Sequence, residues 1–289
     1  LGQDIFRDDA RLYLAPEKAY AGLLYVDPAR PVSVNLSAGR QSYTLNDGFL
    51  VHFVRQSSNA GERGALYIGP RVTSAFTALA DARLGRWRAT GFYIDPDELD
   101  VVDTRTRFLG GNLARTFENG LSLDASLIGI TASDGSYVLP DGARRGKAGL
   151  VTLAGHARWR DVLGIDGLWL EGEIAHQWHR DFPMDAWAGY ALAGYRAGDL
   201  GWRPSISYRY AAFSGDDPAT AAYERFDPLM STGMGHWLQG MSFGKLTANS
   251  NLVSHRVQAN LEVSPVLNLT LEYFRLFADE RNNLGSNPA

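Results

Sequence analysis

Arginine carries most of the chemistry that this sequence could perform. Arg86, Arg88, Arg158, Arg160, Arg203, Arg209 and Arg256 fall on the polar positions of segments in which apolar and polar residues alternate. Asp124, Glu171, Glu173, Glu262 and Glu272 occupy the same kind of position. A guanidinium stays charged at any relevant pH, and its planar fork grips a carboxylate through two parallel hydrogen bonds. Set around an aqueous path, such groups favour anions. The plainer use of the same residues is bracing, with Arg paired to Asp or Glu across a wall, and part of the set is expected to serve that way. Segment 213–250 adds Asp216, Asp217, Phe226, Asp227 and Trp237. It is the longest connection in the chain, and loops of more than about fifteen residues are usually functional or disordered. With Phe226, Trp237 and Phe243 it is too apolar for a solvated tail, so it is expected to fold inward and cover the mouth of the path.

Other patterns carry less. Gly240-Met241-Ser242-Phe243-Gly244 has the spacing of a nucleophile elbow. That motif needs an apolar strand before it and a helix after it, and the sequence offers neither. His176 and His179 lie on opposite faces of any strand, so they do not share a metal. Asp216 and Asp217 could hold a loop calcium or simply sit in a solvated turn. His255 falls on an otherwise apolar face. With His176 it keeps an outer-membrane lipid hydrolase open as an alternative, although no serine stands opposite either histidine. No metal or cofactor is expected, and no enzyme.

The elements that must position these side chains are strands. Period-two alternation runs along most of the chain, and helical periodicity is scarce. Ile206, Tyr208 and Tyr210 alternate with Ser205, Ser207 and Arg209, and Leu168, Leu170 and Ile174 alternate with Glu171, Glu173 and Gln177. Twelve strands are predicted, at about 15–26, 31–41, 66–79, 84–95, 103–117, 120–131, 148–160, 167–180, 185–197, 200–212, 251–263 and 266–278. Short turns, including one at Asp81-Ala82-Arg83, alternate with longer connections at about 42–65, 96–102, 132–147, 181–184 and 213–250. Soluble sandwiches and propellers also alternate, but their strands average about five or six residues. Strands of ten or more with one continuous apolar face match the roughly nine to eleven tilted residues that cross a bilayer. Lipid offers no hydrogen bonds, so such strands must close into a barrel. Trp87, Trp159 and Trp202 near the short turns, and Trp178 near the longer connections, suit aromatic girdles. The expected fold is therefore an all-β, antiparallel, up-and-down transmembrane barrel.

Composition agrees. The chain has 289 residues, a net charge of -4 and no cysteine, and 45% of it is hydrophobic. A core-sized apolar fraction excludes global disorder, the charge gives no footprint for nucleic acid, and disulfides and thiol chemistry are absent. No window of eighteen residues is apolar enough for a transmembrane helix. The first residues, Leu1-Gly2-Gln3-Asp4, and the last, Asn287-Pro288-Ala289, read as cuts, so residues 1–289 are taken as one barrel domain shortened at both ends.

Several stretches resemble the alginate-export outer-membrane proteins. Gly39-Arg40-Gln41 followed by Leu45-Asn46-Asp47-Gly48-Phe49-Leu50-Val51 is similar to that family's "GRQ…GDGRL" stretch. Tyr208-Arg209-Tyr210, Phe213-Ser214-Gly215-Asp216-Asp217 and Phe226-Asp227-Pro228-Leu229 resemble its "YRYA.FSGDD" and "FDPLF" passage, and Trp237-Leu238-Gln239-Gly240 fits its "W.QG". The resemblance runs from about Arg11 to Asn283. It implies an eighteen-stranded barrel, with about four strands before residue 1 and two after residue 289. It further implies a porin of the bacterial outer membrane whose Arg-lined constriction passes an anionic polysaccharide or related organic anions, alongside periplasmic export partners. Arg40 and Arg209 sit on matching motif positions. By strict alternation Arg40 shares a face with Val34 and Leu36, so an inward placement needs a bulge or the strand's end. A structural barrel with a closed lumen is the third reading.

Overall fold

A computed structural model describes residues 16, 18–52, 74–96, 103–139, 141–231, 237, 239 and 248–281. Alternation produces what it predicts, a sheet of twelve strands joined in strict chain order. They are β1 (Ala19–Val26), β2 (Val32–Arg40), β3 (Ser74–Leu84), β4 (Trp87–Pro96), β5 (Arg107–Thr116), β6 (Leu121–Ala132), β9 (Leu150–Arg160), β10 (Leu168–His179), β11 (Ala186–Arg196), β12 (Ser205–Phe213), β13 (Leu252–Ser264) and β14 (Leu267–Phe277). A separate small hairpin, β7 (Ser136–Val138) and β8 (Arg144–Gly146), rises from the connection between β6 and β9. Every neighbouring pair is antiparallel, and β1 and β14 form the two edges among the described residues. The all-β reading holds, with a single 3-10 turn at Val162–Gly164 as the only helical element described. No described helix is long and apolar enough to cross a membrane, which says nothing of crossing by strands.

The two faces of the sheet differ in kind. On β10, Leu170 and Ile174 are exposed while Glu173, Ala175 and Gln177 are buried; on β12, Ile206, Tyr208 and Tyr210 are exposed while Ser207 and Arg209 are buried. Leu23, Ile174 and Leu271 are 75%, 66% and 71% exposed, part of an apolar surface that spans all twelve strands. A patch of that extent calls for a non-aqueous neighbour. The opposite face is polar and covered by loops. Residues 44–52 form a tight inward hairpin: Leu45 N–H donates to the Val51 carbonyl at 2.9 Å, and Gly48 turns the chain at φ 88°. Phe49, Leu50 and Val51 of this hairpin are fully buried. Val51 bridges Met230, which stitches the hairpin to the connection after β12, and Met184, between β10 and β11, bridges Tyr223 of that same connection. Tyr43 meets Phe92 on β4 at 4.9 Å, and Phe49 meets Phe213 on β12 at 5.5 Å. A stretch of seven residues touches strands six ladder steps apart only if the sheet curls around it.

Three expectations need correction. The turn between β3 and β4 lies at Gly85-Arg86, with Gly85 at φ 57°, and not at Asp81-Ala82-Arg83. Asp81 and Arg83 are polar because they share the covered face with Thr90 and Arg88 on β4, their register partners. Likewise β12 begins at Ser205, not near residue 200: Trp202 and Arg203 adopt positive φ (66° and 40°) and belong to the preceding turn. The connection near 132–147 also contains the β7–β8 hairpin. Residues 66–73, expected in a strand, and Gly240-Met241-Ser242-Phe243-Gly244 lie outside the described residues.

Candidate functional site

At the short-turn end Arg86, Arg88 and Arg203 are ion-paired. Arg86, in the β3–β4 turn, pairs with Glu118. Arg88 Nε donates to Asp81 at 2.5 Å, and Arg203 meets Glu262 at 3.1 Å. The Arg203 side chain is 58% exposed. Pairs of this kind contribute about 0–1 kcal/mol each.

Midway along the strands the charges merge into one network centred on Glu171 of β10. Arg158 of β9 grips it bidentately, Nε to Oε2 at 2.8 Å and Nη2 to Oε1 at 2.6 Å. The Tyr190 hydroxyl donates to the same carboxylate at 3.1 Å. His156 bridges it, with Nε2 at 3.2 Å from Glu171 and Nδ1 at 2.7 Å from Asp124 of β6. Asn112 and the hairpin's Asn46 both donate to Asp124 at 2.9 Å. The hairpin tip is thereby bonded to the wall. Cross-strand register makes the cluster possible: Asp124, His156 and Glu173 are successive partners, and Arg158 faces Glu171. Glu173 is buried, and its Oε2 has no hydrogen-bond partner among the described residues. Asp47 at the hairpin tip is half-buried near Tyr190 and Trp237; desolvation, and then the charge of Glu171, push its carboxyl above the usual range.

Nearer the loop end, Arg209 of β12 and Arg256 of β13 are direct cross-strand partners, only 2% and 5% exposed. The Arg209 guanidinium lies 4.0 Å from the centre of the Trp237 ring and donates to Gln239 at 3.4 Å. Arg256 meets Glu272 at 3.4 Å. Two adjacent buried cations are expensive unless something anionic or π-rich faces them. Arg40 ends β2 at a glycine kink, Gly39 at φ 132°, and donates to the Ser74 carbonyl at 3.2 Å.

The connection after β12 folds onto the covered face, as its apolar residues require. Phe226 and Trp237 pack on Phe49 and Phe213. Asp227 is its anchor. Its carboxylate accepts from Tyr137 (2.7 Å), Lys147 (2.9 Å) and the Leu229 N–H (2.9 Å). Gln177 bonds its backbone on both sides at 2.8 Å. Burial would raise the Asp227 carboxyl, but the Lys147 ammonium and these donors hold it below the usual range. Asp216 and Asp217 do not converge: one accepts from the Glu224 N–H at 2.9 Å, the other caps Ala219 at 2.8 Å. His176 is exposed and His179 buried, on opposite faces.

The sequence reading missed the hairpin at 44–52 and the partners Tyr190, His156 and Gln177. The hairpin had a signal. Asn46-Asp47-Gly48 is turn chemistry, and the flanking Leu45 and Phe49-Leu50-Val51 are as unsuited to water as Phe226 and Trp237.

A polar, arginine-bearing interior behind an apolar twelve-stranded wall can be set against known proteins. No curated protein matches the chain. A family model described as alginate export matches residues 7–287, and the chain belongs to that family.

Proposed function

We propose that the chain forms the wall and inner constriction of a bacterial outer-membrane channel that passes an anionic polysaccharide such as alginate, or related organic anions. Membership of an export family supports transport. The observation that carries the anionic part is the Arg209–Arg256 pair, buried on the covered face beside Trp237. In this reading the sheet closes into a barrel with its apolar face in lipid, and the longer connections lie outside the cell. The short turns face the periplasm and any export partners there. Arg40, Arg158, Glu171 and Glu173 line the path, while Arg86, Arg88 and Arg203 brace its periplasmic rim. Carboxylates of a uronate polymer would exchange with Glu272 at the Arg209–Arg256 level, where a guanidinium fork holds one carboxylate at a time.

Residues 44–52, Phe226 and Trp237 occupy the path in this resting arrangement, so passage requires them to shift. The reading is a conduit, not an enzyme: the outward histidines bond Asp185 (His176, 2.7 Å) and Tyr208 (His255, 2.7 Å), not a serine. Reversal potentials of the complete protein in planar bilayers under a KCl gradient test the proposal. Arg209→Glu with Arg256→Glu should turn anion preference into cation preference. Unchanged selectivity would leave these residues as braces, and absence of any conductance would leave the barrel as a closed structural one.

A further inference from the structure

The apolar face carries one polar cluster that the channel reading does not use. Tyr210 of β12, His255 of β13 and Arg275 of β14 are consecutive register partners, so their side chains stand in a row across three strands on the exposed face. Tyr208 sits one pleat step away, and its hydroxyl lies 2.7 Å from His255 Nδ1. The Tyr210 ring centre is 5.3 Å from that of His255, and the Phe277 ring is edge-on to it at 6.0 Å. Arg275 lies over Phe277 at 4.9 Å. Rings therefore position the His255 and Arg275 side chains, and neither is in a salt bridge among the described residues.

The hydrogen bonding fixes what His255 can offer. In the neutral tautomer whose Nδ1 accepts from the Tyr208 hydroxyl, Nε2 carries the proton. In the charged ring both nitrogens carry protons. In both of these states Nε2 is a donor, directed away from Tyr208. Arg275 adds a fork of donors and Tyr210 a hydroxyl. Three donors and up to two positive charges in one exposed row suit an oxyanion with several acceptor oxygens, which is a phosphate.

Position along the strands says where that phosphate comes from. Tyr210 and His255 stand three residues from the loop ends of β12 and β13, and Arg275 two from the end of β14. At about 3.3 Å per residue that is within roughly 10 Å of the strand ends, the level of lipid headgroups rather than of hydrocarbon. A guanidinium facing outward is tolerable there and costly at mid-membrane. On the other side of Tyr210 the wall is shallow, because its β11 neighbours on that face are Gly189, Ala191 and Ala193. That leaves room for acyl chains against the strand.

We propose that Tyr208, Tyr210, His255 and Arg275 form a binding site for the phosphate of an outer-leaflet membrane lipid. The site rests on the outer-membrane placement above, and on nothing about the transported polymer. The test uses the complete protein in a maltoside detergent, with retained lipid measured by native mass spectrometry. The probes are an acylated glucosamine disaccharide bearing two phosphates, the same lipid without phosphates, and inorganic phosphate. His255→Gln with Arg275→Gln should weaken binding of the diphosphorylated lipid by about tenfold, the loss expected for charged hydrogen bonds at a wet site. The dephosphorylated lipid should bind wild type and variant alike, and inorganic phosphate should not displace the lipid. Tyr208→Phe, which removes only the group that orients His255, should cost about threefold and decides the matter if the double variant does not assemble. Unchanged affinity in the variants, or equal binding of the two lipids, overturns the site. Displacement by inorganic phosphate makes it a general anion site and overturns the lipid assignment. Sedimentation of the wild-type protein with outer membranes is scored separately: if it fails, the barrel reading fails, whereas lost lipid specificity with normal sedimentation removes only the site.

Discussion

Arg203 and Arg209 lie within a few residues of one another at β12, and the structure treats them oppositely. Arg203 sits in a turn with left-handed backbone, 58% of its side chain exposed, and meets Glu262 at 3.1 Å. Arg209 is 2% exposed, stands beside a second arginine, and rests on a tryptophan face. Water screens the first charge and makes its partner nearly irrelevant to stability. The second has lost most of its water, so whatever approaches it feels a large potential. The lesson is that a guanidinium's value to a channel is set by its burial and its neighbours, not by its presence on the polar face.

The largest effect should come from Arg209→Glu. At an effective dielectric of about 20, two unit charges 4 Å apart interact by about 4 kcal/mol. Reversing one charge of the pair should therefore change the anion-to-cation permeability ratio by more than about tenfold, and more at low salt, where screening is weaker. Reversal potentials at two ionic strengths measure both. An equal effect from Arg203→Glu would break the comparison.

Next comes Arg158→Met. It removes the bidentate partner of Glu171 and leaves that carboxylate to His156 and Tyr190. Arg158 keeps about a third of its side chain exposed, so the loss is set at about 1–3 kcal/mol in a membrane unfolding titration. A loss below that of Arg203→Gln would show that the central network is no tighter than the rim.

Asp227→Asn should cost about 1–2 kcal/mol, because Lys147 and Tyr137 lose their charged acceptor. The same bond predicts a pH effect. The Asp227 carboxyl is depressed in the fold, so its stabilisation is complete above the ordinary carboxylate range. It fades as pH falls through the lower folded value. Single-channel conductance of the wild type should rise below that range, and the Asn variant should lack that acid step. An identical step in both would assign it elsewhere.

The smallest effect belongs to Arg203→Gln, at about 0–1 kcal/mol with unchanged selectivity.

Much of this architecture was legible beforehand, because alternation is a local property. The strand set, the faces of β10 and β12 and the inward fold of Phe226 and Trp237 follow from which residues tolerate water. Two boundaries slipped for one reason: polar residues mark both turns and covered faces. Asp81 and Arg83 were read as a turn and Trp202-Arg203 as strand, and only Gly85 and two positive φ angles separate the cases. The pairings were not legible. Arg203 with Glu262, or Asp227 with Tyr137 and Lys147, depend on which strands and loops meet, and the sequence spacing of those residues says nothing about that. In the proposed channel, the anion preference expected of the whole arginine set is assigned to one level for the same reason.

The inward hairpin also bears on how the chain assembles. Each wall strand pairs with the next wall strand in the chain, and most of these pairs are joined by short turns or connections, so most of the wall can zip up through contacts of short sequence separation. The bridge from Val51 to Met230 joins residues separated by most of the chain, and Asn46 reaches Asp124 through the interior. Such contacts form only after the intervening strands are in place, and their loop-closure entropy is paid late. Refolding should then show two kinetic events: fast strand formation seen in far-ultraviolet dichroism, and a slower step in Trp237 fluorescence as the interior is filled.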